Sequence, residues 1–157
     1  MKIFIDTKNY TSKKDLEIME SIAEYYEFNL NLLQPILKLS NLYIIFTNRD
    51  KRINNSQIYR VEHRKRTVIK VNFEEIRQDW VNEDWKLRYS RKYLPKKLST
   101  FDHALFILLH EITHYLRKDH LTNWNSLSEG ELIGKETNCD IQAVKYLKLL
   151  KILDKGD

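Results

Sequence analysis

The thirteen residues 104–116, "ALFILLHEITHYL", set His110, Glu111 and His114 inside an otherwise apolar run. Phe101, Ala104, Leu105, Leu108 and Ile112 recur at helical spacing, Ser99 to Asp102 can cap the start, and the helix is expected to run to about Lys118. Polar groups held in such a run are costly unless something partners them. Two histidines four residues apart lie one turn apart on the same helix face, so both can point at one ion. Imidazole nitrogens bind Zn²⁺ at about 2.0–2.1 Å, and this step suits two corners of a tetrahedron. Zinc is the expected ion, because nitrogen and oxygen ligands in a small hydrolytic site favour it. Glu111, beside the first histidine, projects slightly around the helix and is placed to act as general base toward water on the metal.

The third ligand separates two kinds of site. His120, six residues after His114, falls where the metzincin signature H-E-x-x-H-x-x-G-x-x-H places its last histidine. That signature needs a glycine where this chain has Arg117, and a methionine turn downstream, whereas the only methionines are Met1 and Met19. Glu136 fits better. It lies 22 residues after His114, in "GKETNCDIQAVKYLKLL", on a second helix that Ser128 to Glu131 can cap and that is expected to run to about Leu153. Asp140, one turn on, is placed to accept the outward N–H of a ligating histidine. Leu132, Ile133, Ala143, Val144 and Leu147 give that helix its apolar companions.

The remainder reads as supporting structure. Ser12 to Asp15 resembles a capping box, and Leu16, Met19, Ile22, Ala23 and Tyr26 predict a helix over 13–28. "NLLQPILKL" suggests a short second helix entered at Pro35. "LYIIFT" (42–47), "SQIYRVEH" and "TVIKVN" read as strands, the last two joined as a hairpin through Arg64-Lys65-Arg66. Phe73 to about Asp79 suggests a short helix. In residues 80–98 the aromatics Trp80, Trp85, Tyr89 and Tyr93 alternate with basic residues. The chain is read as one domain over 1–157, with N-terminal helices over 1–40, a sheet and basic, aromatic insertion over 41–98, and two helices over 99–157.

With these residues in view, the last sixty or so resemble the gluzincin metallopeptidases, in which H-E-x-x-H is followed by a helix bearing E-x-x-x-D. Within that group the strongest resemblance is to the ImmA/IrrE metallo-endopeptidase family, whose second helix reads like E-x-x-A-(D/N)-x-F-A-x-x-L-L. Glu136, Asp140 and Ala143 match and Leu147 fits the tail, while Cys139 replaces an alanine and Gln142 an aromatic residue. The likeness is specific at the metal site, loose over 40–75 and absent over 1–40 and 80–98. It implies an α+β, zincin-like domain, with a short mixed or antiparallel sheet packed on the H-E-x-x-H helix and a C-terminal glutamate-bearing helix. It further implies that His110, His114 and Glu136 hold zinc, that Glu111 is the catalytic base, and that Asp140 orients a ligand. The activity implied is zinc-dependent endopeptidase cleavage of a specific protein, in some relatives a DNA-binding regulator. His103, Tyr115, His120 and Tyr146 are candidates by residue type for stabilising an oxyanion. The sequence does not choose among them. An edge of "LYIIFT" or "TVIKVN" could take a peptide substrate as an added strand.

Charge supports a second reading. Residues 51–100 hold 14 Lys/Arg against 6 Asp/Glu, whereas the chain as a whole is only +5. The basic, aromatic segment 51–97 could therefore serve a nucleic-acid-associated module or nucleoprotein partner, with the zinc site structural or vestigial. No apolar run approaches the ~20 residues of a membrane span. A single cysteine, Cys139, and an N-terminus without a signal-like apolar region lead to the expectation of a cytoplasmic protein.

Overall fold

The computed structural model describes residues 3–5, 12–37, 39, 42–47, 57–61, 66–73, 76 and 98–156. The aromatic stretch 80–97 and the turn residues Arg64 and Lys65 lie outside them, as does the expected helix over 73–79 apart from Phe73 and Ile76.

Helix α1 spans Lys13–Leu33, capped by the Ser12 side chain, which accepts from the Asp15 N–H at 3.1 Å. It buries Met19, Ile22, Ala23, Tyr26, Leu30 and Leu33, an unbroken series at three- and four-residue steps. The helix is five residues longer than expected, and it absorbs the start of the second helix that "NLLQPILKL" suggested. Leu30 and Leu33 continue the buried stripe, and Pro35, which has no N–H with which to extend the helical ladder, ends it. Residues 34–37 are turn and bend, so the short helix at Pro35 does not form there.

Four strands form a mixed sheet: β1 (Ile3–Ile5), β2 (Leu42–Thr47), β3 (Gln57–Val61) and β4 (Arg66–Asn72), in the order β1-β2-β4-β3. β1 and β4 both pair parallel with β2, with Ile44 opposite Ile3 on one side and Ile69 on the other. β3 and β4 pair antiparallel, as the expected hairpin requires, with Tyr59 opposite Val68. Since β2 and β4 each have a neighbour on both sides, neither "LYIIFT" nor "TVIKVN" offers the open edge first assigned to them. Among the described residues the edges belong to β1 and β3.

Helix α2 spans Thr100–Leu116, with the Ser99 side chain accepting from the Asp102 N–H at 3.1 Å. It packs on the sheet at β3 and β4 and on helix α3 (Glu129–Lys155). Being covered on both sides, it buries Leu105, Phe106, Ile107, Leu108, Leu109 and Ile112 together, and this is why its sequence is apolar all round. These six side chains contribute roughly 9–18 kcal/mol of gross burial, an upper bound. That anchors the helix firmly enough to fix the positions of the polar residues it carries.

The helices are then tied crosswise. The Tyr26 hydroxyl donates to the Ala104 carbonyl at 2.8 Å. Asp102 accepts from the Tyr25 hydroxyl of α1 and, at 2.9 Å, from Lys151 of α3. Asp102 thus meets the end of α3 while His110 meets its beginning at Glu136 and Asp140, so α2 and α3 run antiparallel. Among the described residues, no helix is long and apolar enough to cross a membrane.

Candidate metal centre

α3 begins with a full capping box: the Ser128 side chain accepts from the Glu131 N–H, and the Glu131 carboxylate accepts from the Ser128 N–H. Starting the helix at that residue sets its phase. Cys139, Asp140, Ala143, Val144, Leu147 and Leu150 face inward, and Glu136, one turn before Asp140, reaches the middle of α2.

There Glu136 spans both histidines. Its Oε2 lies 3.0 Å from His110 Nε2 and its Oε1 lies 3.1 Å from His114 Nε2, while the two Nε2 atoms are 3.1 Å apart. Donors held about 2.0–2.1 Å from an ion at tetrahedral corners stand about 3.3–3.4 Å from one another. The observed triangle is therefore within a few tenths of an ångström of what a zinc-sized ion needs. His110, His114 and Glu136 form a group that could hold a metal ion.

The far sides of the two rings decide which nitrogen faces that triangle. His110 Nδ1 lies 2.6 Å from Asp140 Oδ1, and His114 Nδ1 lies 2.9 Å from Asp119 Oδ2. An ionised carboxylate only accepts, so each Nδ1 must carry a hydrogen and donate it. In the neutral rings both Nε2 lone pairs then converge beside the Glu136 carboxylate. Such a meeting of electron-rich atoms favours a cation between them. Protons can serve in that role. Burial works against charging His110, but its bonds to Asp140 and Glu136, with Glu111 nearby, raise its pKa to about 10. His114 is raised too: burial opposes it, and Glu136 and Glu111 outweigh that. Burial pushes the Glu136 carboxyl up, yet the two histidines hold it well below the usual carboxylate range.

Asp119 carried no signal in the sequence, where it reads as one more charge in the loop "RKDH". The backbone brings it back: Arg117 ends α2 in a right-handed conformation, and Lys118 turns left-handed at φ 60°. Asp119 then starts a one-turn 3₁₀ helix, Asp119–Leu121, beneath the ring of His114. Trp124, in a second such turn, donates its indole N–H to the Asp119 carbonyl at 3.1 Å and sets its ring edge-on to His114.

A second donor group, His114, Asp119 and Cys139, lies on the inner side of the same ring. Cys139 Sγ is 3.3 Å from His114 Nδ1 and 3.9 Å from Asp119 Oδ2. All three residues are buried, and Asp119 already carries the Lys135 ammonium at 2.9 Å. Burial pushes the thiol well above its ordinary range, with Asp119 and Glu136 adding to the effect, so it stays protonated.

Of the other expected residues, Glu111 is buried and its charge acts on both histidines. His103 is buried seven residues before His110, about 10 Å back along the axis. Tyr115 and Tyr146 are half-buried against the apolar core, and Tyr146 follows Asp140 by about 9 Å of helix. His120 has its backbone in the first 3₁₀ turn, and its side chain lies outside the described residues. No protein-family model, curated protein or solved structure matches this chain.

Proposed function

We propose that this protein is a zinc-dependent metalloendopeptidase of the gluzincin type, resembling the ImmA/IrrE family, that acts on a specific protein substrate. The observation that carries the reading is the single carboxylate of Glu136 standing 3.0 and 3.1 Å from the Nε2 atoms of both histidines of H-E-x-x-H. His110, His114 and Glu136 would hold the ion. Bound there, zinc polarises a carbonyl and makes water a better nucleophile near neutral pH. Asp140 holds the His110 ring by its Nδ1–H, so that Nε2 keeps its direction. Glu111, adjacent to His110 and held at the same site, takes a proton from the attacking water and passes it to the departing amine.

Substrate enters this reading through the sheet. β3 is an edge strand among the described residues, and it packs against α2 and against the 3₁₀ turn that carries Asp119. An extended peptide added along its open side would run past the metal-site helix, with main-chain hydrogen bonds holding it. A DNA-binding regulator as the substrate follows from the resemblance alone.

The test is cleavage of a partner protein by tag-free, zinc-loaded chain, read by mass spectrometry of the fragments, beside Glu111→Gln. Loss of cleavage with zinc retained supports the assignment. Cleavage that survives Glu111→Gln defeats Glu111 as the base.

A further inference from the structure

We propose that Asp119, locked in place by Lys135, is the positioning residue of His114, fixing the imidazole so that Nε2 alone faces the metal site. The inference rests on the metal-site reading above.

The two oxygens of Asp119 have separate partners. Oδ2 lies 2.9 Å from His114 Nδ1, and Oδ1 accepts from Lys135 Nζ at 2.9 Å. Arg117 Nε, at 3.7 Å from Oδ2, is a weaker and more exposed neighbour. The Asp119 side chain is only 2% exposed, and a carboxylate so enclosed is tolerated only when paired and fully hydrogen-bonded. Lys135 supplies that pairing.

A carboxylate paired with the Lys135 ammonium on one oxygen can only accept from a ring nitrogen on the other, so it selects the Nδ1–H form of His114 and resists rotation of the ring. Lys135 immediately precedes Glu136 on α3. The same turn of helix therefore delivers the third candidate ligand on one side and the counter-ion of the positioning carboxylate on the other. His110 is oriented differently, by Asp140 from the next turn of α3. Each histidine has its own aspartate, and only that of His114 comes from outside α3.

Zinc affinity of the tag-free full chain, by chelator competition, would be compared for wild type, Asp119→Leu, Asp119→Asn and Lys135→Met. It would be read with the ¹⁵N spectrum of His114 in the zinc-loaded chains. Asp119→Leu should lose about 10–100-fold in affinity and broaden or mix the His114 tautomer signals. Asp119→Asn, whose amide oxygen still accepts from Nδ1–H, should recover much of that loss. Lys135→Met should weaken zinc binding several-fold, and it decides the matter if Asp119→Leu does not fold.

Wild-type affinity and an unchanged His114 spectrum in Asp119→Leu, or in Lys135→Met alone if that is the folded variant, would overturn the proposal while leaving the metal site standing. A thiolate-to-metal absorption band on cobalt loading, lost in Cys139→Ala, would overturn it by making Asp119 part of a ligand set with Cys139. Wild type that takes up no zinc at all would defeat the metal-site reading itself.

Discussion

Removing Glu136 tests the arrangement most directly, because that one carboxylate meets both histidines, Oε2 on His110 and Oε1 on His114. Zinc sites built by four protein ligands bind with about 10–16 kcal/mol at neutral pH, or about 2.5–4 kcal/mol per ligand. Deleting one of the three proposed ligands in Glu136→Ala should therefore raise the zinc dissociation constant by about two to three orders of magnitude. Glu136→Gln keeps the shape and an oxygen donor while losing the charge, so it should fall between. The assay is zinc per chain after dialysis, followed by chelator competition, on protein purified without a histidine tag. The side chain is 37% exposed, so its loss leaves no large cavity, and the far-ultraviolet spectrum of the variant should stay that of the wild type. His120→Ala serves as the control and should keep its zinc. The reasoning is refuted if Glu136→Ala binds zinc with wild-type affinity, and the third ligand is reassigned if His120→Ala loses the metal instead.

Three further outcomes are expected. Glu111→Gln should abolish substrate cleavage while zinc per chain stays at the wild-type level, and parallel loss of both would make Glu111 structural. Tyr26→Phe removes the buried hydroxyl that donates to the Ala104 carbonyl. It should cost about 1 kcal/mol and lower the melting temperature by about 2–4 °C; an unchanged melt would show that this bond contributes nothing net. Burial pushes Asp102 up, but its bonds from Tyr25 and Lys151 leave its carboxyl below the ordinary range in the folded chain. Its contribution is therefore complete above the unfolded value near pH 4 and is lost as pH falls through the lower folded value. Urea midpoints measured from pH 6 down to pH 2 should show a shallower acid decline in Asp102→Asn, and an identical slope would refute the linkage.

The two metal-site helices were legible because their signals are local. Ser99 and Ser128 cap where their side chains can reach the third residue on, and the apolar spacing of α2 and α3 follows directly from what each helix covers. Glu136 and Asp140 were legible because a four-residue step on a helix fixes a shared face. β1 was missed: three residues carry no periodicity, and "IFI" becomes a strand only by pairing with β2. The edge of the sheet was misplaced although a signal existed. "LYIIFT" is apolar along nearly its whole length, as an interior parallel strand should be, whereas "QIYRV" carries the charged Arg60, the kind of residue that edge strands tolerate. Asp119 lay beyond reach because its role depends on a left-handed Lys118 and on Lys135 of another helix. No spacing rule joins those residues.

The polarity of the cluster bears on the choice between the proposed metal site and an internal ion-pair network. Glu111, Asp119, Glu136 and Asp140 all crowd two imidazoles at one level of the α2–α3 interface. Elsewhere along that interface α3 presents Ala143, Val144, Leu147 and Leu150, and a well-packed apolar layer there would be at least as stable as buried charge. Here the inward nitrogens are satisfied separately, by Asp140 and Asp119, while the two Nε2 atoms share one carboxylate that is 37% exposed. The inner half of the cluster is thus fixed and charge-matched, and the outer half gathers three donors, of which the Glu136 side chain is the most exposed. That division, fixed orientation behind and convergent donors in front, is the arrangement the proposed metal site would use, since partners on the inward nitrogens orient the ligating ones.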